Sequence, residues 1–257
     1  MHALHKFLLF HVLTCLGLNA DGSEIINGVK VEEGSMQYMV SLQNIYKKHV
    51  CGGFLIREDV VVTAAHCNAL GVTSVVLGTH DLKKEEKEIR RDIKQRCKHK
   101  DYWDVEYGND IMLLKLSQGA GPNDRVKTIP LPTSEMNTNS TETCSVAGWG
   151  YTITNGGAVD DLRVVNVSII DPQVCKEQWL PYNFPANVIC AGGYPTKEGF
   201  CQGDSGGPLV CNGKAVGVVS YNNGNCNYPN VPNVYLDLYK YLPWINQSIL
   251  GDMKHYE

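Results

Sequence analysis

The stretch GFCQGDSGGPLVC (Gly199–Cys211) places an acid, Asp204, directly before a serine, Ser205. Four glycines and two cysteines stand within the same thirteen residues. A solvated surface loop has no need of this combination, whereas a nucleophilic serine needs a tightly turned backbone and fixed groups around it. The stretch therefore predicts a reactive serine in a constrained loop.

The composition excludes several classes of protein. The 257 residues are 43% hydrophobic and 19% charged, which is typical of a folded globular chain. A formal net charge of −4 gives no general attraction to nucleic acid. No apolar run is long enough to cross a bilayer as a helix. We therefore expect no nucleic acid or membrane partner.

The N-terminus has the pattern of a secretory signal peptide. A lysine precedes the apolar run FLLFHVLTCLGL (Phe7–Leu18), and small residues follow it. A buried N-terminal helix is the alternative interpretation. The small residues permit cleavage after Ala20 or after Gly22, which leaves DGSE or SE before the sequence IING. We predict a signal peptide over residues 1–22 and a short activation peptide over residues 23–24.

Secretion makes disulfides the expected use of the cysteines. Ten cysteines are present, and nine remain when Cys15 of the signal is set aside. Nine is odd, so at least one thiol is left over. No C-x-x-C pair occurs, which makes a metal site a weak alternative, and we expect no cofactor.

Short β-rich runs recur between turn residues and predict an all-β sandwich or barrel. The polar segment 132–143 divides the chain into two cores of about a hundred residues each. One run near the end, LPWINQSIL (Leu242–Leu250), has helical spacing, and Pro243 suits a first helical turn. The predicted strands include DVVVTA (Asp59–Ala64), SVVLG (Ser74–Gly78), IMLLKL (Ile111–Leu116), VVNVSII (Val164–Ile170) and AVGVVSY (Ala215–Tyr221).

One segment, Lys83–Lys100, is strongly basic. A solvated loop with an edge strand is the simpler interpretation. The other is a patch that binds sulfated polysaccharide or another polyanion. The basic residues that would form this patch are Lys83, Lys84, Arg90, Arg91, Lys94 and Arg96.

Two further motifs accompany the serine. They are VVTAAHC, which contains His66, and GNDIMLLKL, which contains Asp110. With GDSGGPL they give a histidine, an acid and a serine in the order of the chymotrypsin-like serine proteases, which the chain resembles from Ile25 to about Leu250. The resemblance implies two six-stranded antiparallel β-barrels packed together, at about 25–131 and 132–250, with a C-terminal α-helix.

The resemblance also assigns roles. Ser205 would be the nucleophile, His66 the general base and then the general acid, and Asp110 the group that orients His66. The backbone N–H groups of Gly203 and Ser205 would form the oxyanion hole. These roles imply a serine endopeptidase that acts on protein or peptide substrates and is open to protein protease inhibitors.

In this family the acid beside the serine pairs with a new N-terminus, which here would be the α-amino group of Ile25 with Asp204. The acid before Ser205 would thus be an activation switch, since a buried carboxylate without a partner is costly. The family pattern leaves Cys97 unpaired, as a buried thiol or a reactive one. The implied disulfides are Cys51–Cys67, Cys144–Cys211, Cys175–Cys190 and Cys201–Cys226.

The segments QYMVSLQ (Gln37–Gln43) and CGGFLIREDVVVTAAHC (Cys51–Cys67) look most like granzymes and mast-cell proteases. Storage in secretory granules is then the alternative to constitutive secretion. The Cys201–Cys226 pair and the sequence pI near 6.1 depart from many members of that branch. Two other hypotheses stay open: a digestive chymotrypsin- or elastase-like enzyme, and a protease-shaped binding or antimicrobial protein with little peptidase activity.

The substrate pocket is expected to reject basic side chains. Trypsin-like enzymes place an acid at the position of Gly199, and this chain has none there. Asn222 and Asn233 stand where open pockets have glycine, so small or medium uncharged side chains are favoured. By resemblance the substrate-binding residues are Gly199, Phe200, Ser220, Tyr221, Asn222 and Asn233.

Three N-x-S/T sequons stand at Asn139, Asn166 and Asn246. Asn139 lies in the polar linker and is the best candidate for a glycan. Asn166 falls in a predicted strand and Asn246 in the predicted helix, where we expect poorer access.

Overall fold

The computed structural model describes residues 25–84, 90–121, 124–135, 143–251 and 253. The predicted signal and activation peptides, and Asn139, lie outside the described residues. Within them are thirteen β-strands and two α-helices, together with short 3₁₀ helices. Among these helices, none has the length and apolar character needed to span a lipid bilayer.

Six antiparallel strands form the first closed barrel. With the strands numbered in chain order, their order around the barrel is β2-β3-β4-β7-β6-β5. Its core consists of apolar side chains that alternate inward along these strands, such as Leu42, Phe54 and Leu114, all fully buried. The strands are β2 (Met39–Asn44), β3 (His49–Arg57), β4 (Val60–Thr63), β5 (Val72–Leu77), β6 (Arg90–Lys98) and β7 (Met112–Leu116).

Six more antiparallel strands form the second barrel, in the order β9-β10-β13-β12-β11-β8, and β8 closes it by pairing with β9. The expected pair of six-stranded barrels is confirmed. A further strand, β1 (Val29–Lys30), pairs with β9 at its edge. The barrel strands are β8 (Thr143–Gly148), β9 (Arg163–Ile170), β10 (Val188–Ala191), β11 (Pro208–Cys211), β12 (Lys214–Tyr221) and β13 (Val234–Asp237).

The boundary that we predicted at residues 131–132 does not separate the barrels completely, because a segment at each end of the described chain packs on the barrel of the other half. Ile25 is fully buried in the apolar core of the second barrel, and β1 joins the sheet of that barrel. The C-terminal helix α2 (Leu238–Leu250) instead packs on the first barrel, where Tyr241 and Ile245 are part of its core. Each barrel is therefore completed by a segment from the other half of the sequence.

The helices differ in part from the prediction. The C-terminal helix begins at Leu238, where Asp237 accepts a hydrogen bond from the N–H of Tyr239, so Pro243 lies inside the helix and not in its first turn. A second helix, α1 (Pro172–Gln178), was not predicted. The strand β6 also differs, because it lies between β5 and β7 in a closed barrel and is not an edge strand.

The described residues contain four disulfides, and they are the four that the resemblance implies. Cys97 is a free, buried cysteine whose Sγ lies 3.7 Å from Oγ of Ser248 in α2. Its buried position favours the interpretation as a small apolar side chain over that of an exposed reactive thiol.

Candidate active site

His66 lies in a short 3₁₀ helix, Ala65–Leu70, directly after β4. A disulfide between Cys51 of β3 and Cys67, with an S–S distance of 1.98 Å, ties this helix to the first barrel. The two sulfurs lie within 4.8 Å of the His66 ring, but they are bonded to each other and offer no thiolate to a metal. The disulfide therefore fixes the position of His66 relative to the first barrel.

The backbone before β7 turns Asp110 inward. Gly108 and Asn109 have φ of 79° and 57°, in the left-handed region that these two residue types tolerate best. The hydroxyl of Tyr241 in α2 donates to Oδ1 of Asn109 at 3.0 Å and holds the turn. Asp110 is consequently only 1% exposed.

The carboxylate of Asp110 is fully engaged with His66 and Ser220. Oδ1 accepts from the backbone N–H of His66 at 2.9 Å, and Oδ2 lies 2.8 Å from Nδ1 of the ring. The hydroxyl of Ser220 donates to the same Oδ2 at 2.6 Å. Because Asp110 accepts the proton of Nδ1, Nε2 of His66 is left as an acceptor.

Burial by itself would raise the pKa of Asp110. The hydrogen bonds and the charge of His66, with the hydrogen bond from Ser220, outweigh burial and hold that pKa below its usual value. Asp110 is therefore ionised at neutral pH and stabilises a proton on His66.

Ser205 sits just before β11, in a loop packed closely on the first barrel. Its carbonyl accepts from the N–H of Gly52 at 2.8 Å. A Cβ at Gly206, where φ is 83°, would lie 2.2 Å from Oγ1 of Thr63 and 2.8 Å from N of Ala64. Only glycine fits at 206, which explains why a glycine follows the serine.

His66 and Ser205 line one cleft, so the structure brings the predicted base and nucleophile together. His66 comes from the first barrel and Ser205 from the second. The remaining residues along the cleft are Tyr102, Asp104, Val105, Phe200, Cys201, Gln202, Ser220, Tyr221, Asn222 and Gly224.

The N–H groups of Gly203 and Ser205 make no hydrogen bond to any other described residue. Gly203 has φ of 95°, and a Cβ there would meet Cα of Gly150 at 2.9 Å. The left-handed glycine thus permits a backbone path in which both N–H groups are available as donors.

His49 is a contact to this loop that the sequence did not reveal. Its Nε2 donates to the carbonyl of Gly203 at 2.9 Å, and its Nδ1 lies 2.8 Å from the hydroxyl of Ser41. Burial lowers the pKa of His49 to about 4, because its effect outweighs that of the hydrogen bond to Gly203, which raises the pKa. The ring is therefore neutral near pH 7. A lone histidine two residues before a cysteine carries no signal by which it could have been found.

Asp204 is fully buried beside Ser205. Its two oxygens accept from the N–H of Gly150 at 2.8 Å and of Cys201 at 2.9 Å. No basic side chain in the described part of the chain pairs with it. Burial raises the pKa of Asp204 to about 7, although both hydrogen bonds lower it.

The substrate-binding residues predicted from the sequence fall into two groups. Phe200, Ser220, Tyr221 and Asn222 line the cleft. Gly199 and Asn233 do not: both are buried, and Asn233 is 0% exposed. The structure therefore does not place Gly199 and Asn233 on the cleft surface. Tyr228, which sequence reasoning missed, contacts residues of both groups. The amide groups of Asn222 and Asn233 both donate to Oη of Tyr228.

Two predicted surface features are placed by the structure. Asn166 and Asn246 are both exposed, so a glycosyltransferase has the access to them that we expected to be poor.

The basic patch is partly paired. Lys83 pairs with Asp160 at 2.7 Å and Lys84 with Asp81 at 3.5 Å. In addition, Arg90 donates to Ser74 and Gln43, and Arg96 to the carbonyl of Val72.

Comparisons with known proteins agree with this geometry. The family profile described as Trypsin matches residues 25–245. Duodenase-1 of Bos taurus is 38% identical over 94% of this chain and 96% of its own length. Trypsin of Xenopus laevis is 39% identical over 96% and 100%, and Granzyme B(G,H) of Mus musculus is 35% identical over 95% and 98%.

A solved structure is similar as well. That of neuropsin, a serine protease expressed in the limbic system of mouse brain, superposes with a TM-score of 0.78 at 30% identity, over 88% of this chain and 100% of that one. The chain therefore belongs to the trypsin family of chymotrypsin-like serine proteases, and it is a serine endopeptidase.

Proposed function

We propose that the chain is a secreted or granule-stored endopeptidase that is activated by cleavage before Ile25 and cuts after small or medium uncharged residues. The observation that carries the proposal is the His66–Asp110 pair, which shares one cleft with Ser205, together with a glycine at position 199, where trypsin-like enzymes have an acid. Protein substrates follow from the family, and the substrate class follows from the pocket.

The chemistry uses groups whose geometry is given above. Oγ of Ser205 attacks the carbonyl carbon of the peptide, and Nε2 of His66 takes the hydroxyl proton. The negative oxygen accepts from the N–H groups of Gly203 and Ser205, each worth roughly 3–4 kcal/mol in the transition state. His66 then gives its proton to the leaving amine, and a water molecule, activated in turn by His66, hydrolyses the acyl-enzyme on Ser205.

Activation is supported by Ile25 and Asp204. The Ile25 side chain is buried in the second barrel, and its φ is 42°, a region that β-branched residues rarely occupy. Cleavage of the bond before Ile25 removes this torsion and creates an α-ammonium group. Asp204 lacks a cationic partner among the described residues, so the new ammonium group is the natural counter-charge for it.

Rejection of basic side chains is expected because position 199, where trypsin-like enzymes have an acid, is a glycine. A lysine or arginine head inserted there would lose its water and find no carboxylate, at a cost of several kcal/mol. Discrimination of about a hundredfold or more against these residues is expected.

The intact His66–Asp110 geometry counts against the alternative of a protease-shaped binding protein with little peptidase activity. Binding of sulfated polysaccharide stays a prediction. It rests on fewer charges than the sequence implied, because Lys83 and Lys84 are paired with acids. The salt concentration needed to elute the protein from heparin tests it.

The test of the proposal is a chain with a cleavable site immediately before Ile25, assayed on a peptide library before and after cleavage. We expect activity only after cleavage, with small uncharged residues such as alanine or valine preferred at the residue whose carbonyl is attacked (P1). Best cleavage after arginine or lysine would contradict the pocket interpretation, and no hydrolysis at all would favour the binding protein. N-terminal sequencing of the natural form separates a granule-type dipeptide from a longer digestive propeptide.

A further inference from the structure

Tyr228 lies beneath the substrate cleft at the centre of a closed polar network. The residue is only 7% exposed. Its hydroxyl donates to the carbonyl of Phe200 at 2.8 Å. The same oxygen accepts from Nδ2 of Asn233 at 2.7 Å and from Nδ2 of Asn222 at 2.9 Å. A tyrosine hydroxyl has one proton and two acceptor sites, so this one has no capacity left for a substrate.

The two asparagines are fixed by their other atoms too. Oδ1 of Asn222 accepts from the N–H of Gly224 at 2.9 Å, and Oδ1 of Asn233 accepts from the N–H of Phe200 at 3.2 Å. Each amide therefore has a set orientation, with its NH₂ group directed at Tyr228. A polar substrate group that reached this level would find its best partners already engaged.

The Tyr228 ring also occupies space. A Cβ at Gly199 would lie 2.8 Å from Cε2 of this ring and 2.2 Å from Oδ1 of Asn233. Phe200 and Asn222 line the cleft, whereas Gly199, Asn233 and Tyr228 are not among its lining residues. Because the Tyr228 hydroxyl contacts both Phe200 and Asn222, the tyrosine lies directly behind the cleft wall, between that wall and the interior at Gly199.

We propose that Tyr228 is a specificity-determining residue: its ring fills the space behind Phe200 and Asn222 and so forms the floor that limits the depth of the P1 pocket, and its hydroxyl holds Asn222 and Asn233 in place. The inference rests on the proposed function and narrows its substrate class to small, apolar P1 side chains. A large side chain is excluded by the ring. A polar side chain of matching size gains nothing, because leaving its own donor or acceptor unpaired is costly.

Two variants separate the ring from the hydroxyl. Tyr228→Ala removes the ring, and Tyr228→Phe keeps the ring but removes the hydroxyl to which the NH₂ groups of both asparagines donate. Tyr46→Ala is the control, since Tyr46 is 74% exposed in the turn between β2 and β3. The cleaved proteins are compared by kcat/KM on peptide 4-nitroanilides with Ala, Leu, Asn, Met or Phe at P1, and by labelling of Ser205 with a small fluorophosphonate.

In Tyr228→Ala the Phe/Ala ratio of kcat/KM should rise about thirtyfold or more, whereas Tyr228→Phe should leave it within threefold of wild type. In Tyr228→Phe the Asn/Leu ratio should rise about tenfold, because free amide donors then meet the asparagine side chain. The control should leave both ratios unchanged.

An unchanged Phe/Ala ratio in a Tyr228→Ala protein that still labels at Ser205 would contradict the claim that the Tyr228 ring limits the depth of the P1 pocket. An unchanged Asn/Leu ratio in Tyr228→Phe would contradict the claim that the Tyr228 hydroxyl engages the two asparagine amides and so disfavours polar P1 side chains. If Tyr228→Ala does not fold, this variant provides the test. Failure of the wild type itself to label at Ser205 would contradict the proposed function, and is thereby distinguished from failure of this inference.

Discussion

Asp110 binds His66 through two separate atoms, one in the backbone and one in the ring. Oδ1 accepts from the backbone N–H at 2.9 Å, while Oδ2 lies 2.8 Å from Nδ1. The backbone contact fixes which oxygen is left for the ring, so the carboxylate sets both the position and the tautomer of His66. The hydroxyl of Ser220, 2.6 Å from Oδ2, prevents the carboxylate from rotating away.

Asp110→Asn should lower kcat by about 10⁴-fold with little change in KM. The amide oxygen will stay on the backbone N–H of His66, so the NH₂ group will face Nδ1 and force the proton to Nε2. The ring can then no longer accept the Ser205 proton. Steady-state kinetics on one peptide measure the loss. Asp101→Asn is the matched control, because that residue is exposed near the same loop. Retention of activity within tenfold would show that Asp110 does not hold the tautomer.

Asp204 should make the two forms of the chain respond oppositely to pH. Before cleavage, burial raises its pKa to about 7, above the unfolded value near 3.9. The folded form then binds more protons between these values, so the free energy of unfolding should fall, by up to about 4 kcal/mol, as the pH rises from 4 to 7. After cleavage the α-ammonium of Ile25 should lower that pKa. The stabilisation that Asp204 gives to the cleaved form is then present above pH 4 and is lost as the pH falls below the lowered pKa.

Urea unfolding of a Ser205→Ala chain from pH 4 to pH 8, before and after cleavage, measures this difference without self-digestion. The same series in Asp204→Asn gives the background to subtract. A contribution of Asp204 with the same sign in both forms would argue against the activation switch.

Gly199→Asp should not convert the protein into a trypsin-like enzyme. The new Cβ would lie 2.2 Å from Oδ1 of Asn233, so the buried network must shift, at a cost of about 1–3 kcal/mol. Thermal unfolding and kcat/KM on an arginine peptide test this. Gly157→Asp is the control, because a Cβ there meets nothing within 4 Å. Efficient cleavage after arginine at unchanged stability would mean that the pocket is open.

The strands and the triad could be predicted from the sequence because their signals are local. Alternating apolar runs mark strands, and the residues around His66, Asp110 and Ser205 form distinctive motifs. Helix α1 also had a local signal, since Asp171 caps it through the N–H groups of Gln173 and Val174 and a proline follows the cap. Seven residues were too few for an apolar period to stand out.

The missed parts of the site depend on contacts between distant segments. Tyr228 stands in a run of asparagines, glycine and proline that indicates a turn, and nothing local directs its ring inward. Its partners Phe200 and Asn222 are 28 and 6 residues away. Of the two asparagines, Asn222 lines the cleft and Asn233 is buried, and the tyrosine that joins them is recognised only in the folded loop.

Glycans are expected on Asn166 and Asn246 as well as on Asn139. Both of the described asparagines are exposed, Asn166 on β9 and Asn246 on α2, so accessibility does not disfavour them. Glycopeptide mass spectrometry of protein secreted from animal cells measures the occupancy of each sequon. Exposed sequons that are always bare, beside an occupied Asn139, would show that regular secondary structure prevents modification here.

The reactivity of Ser205 tests the account most directly. The protein cleaved before Ile25 is treated with a fluorophosphonate, and the modified residue is identified by peptide mass spectrometry, with the rate of peptide hydrolysis followed in parallel. We expect one label per chain, on Ser205, with hydrolysis lost in proportion to labelling, and neither labelling nor hydrolysis in Ser205→Ala. That substitution should lower kcat by about 10⁶-fold. Equal labelling of Ser205→Ala and wild type, or hydrolysis that survives complete labelling, would contradict the assignment of Ser205 as the nucleophile.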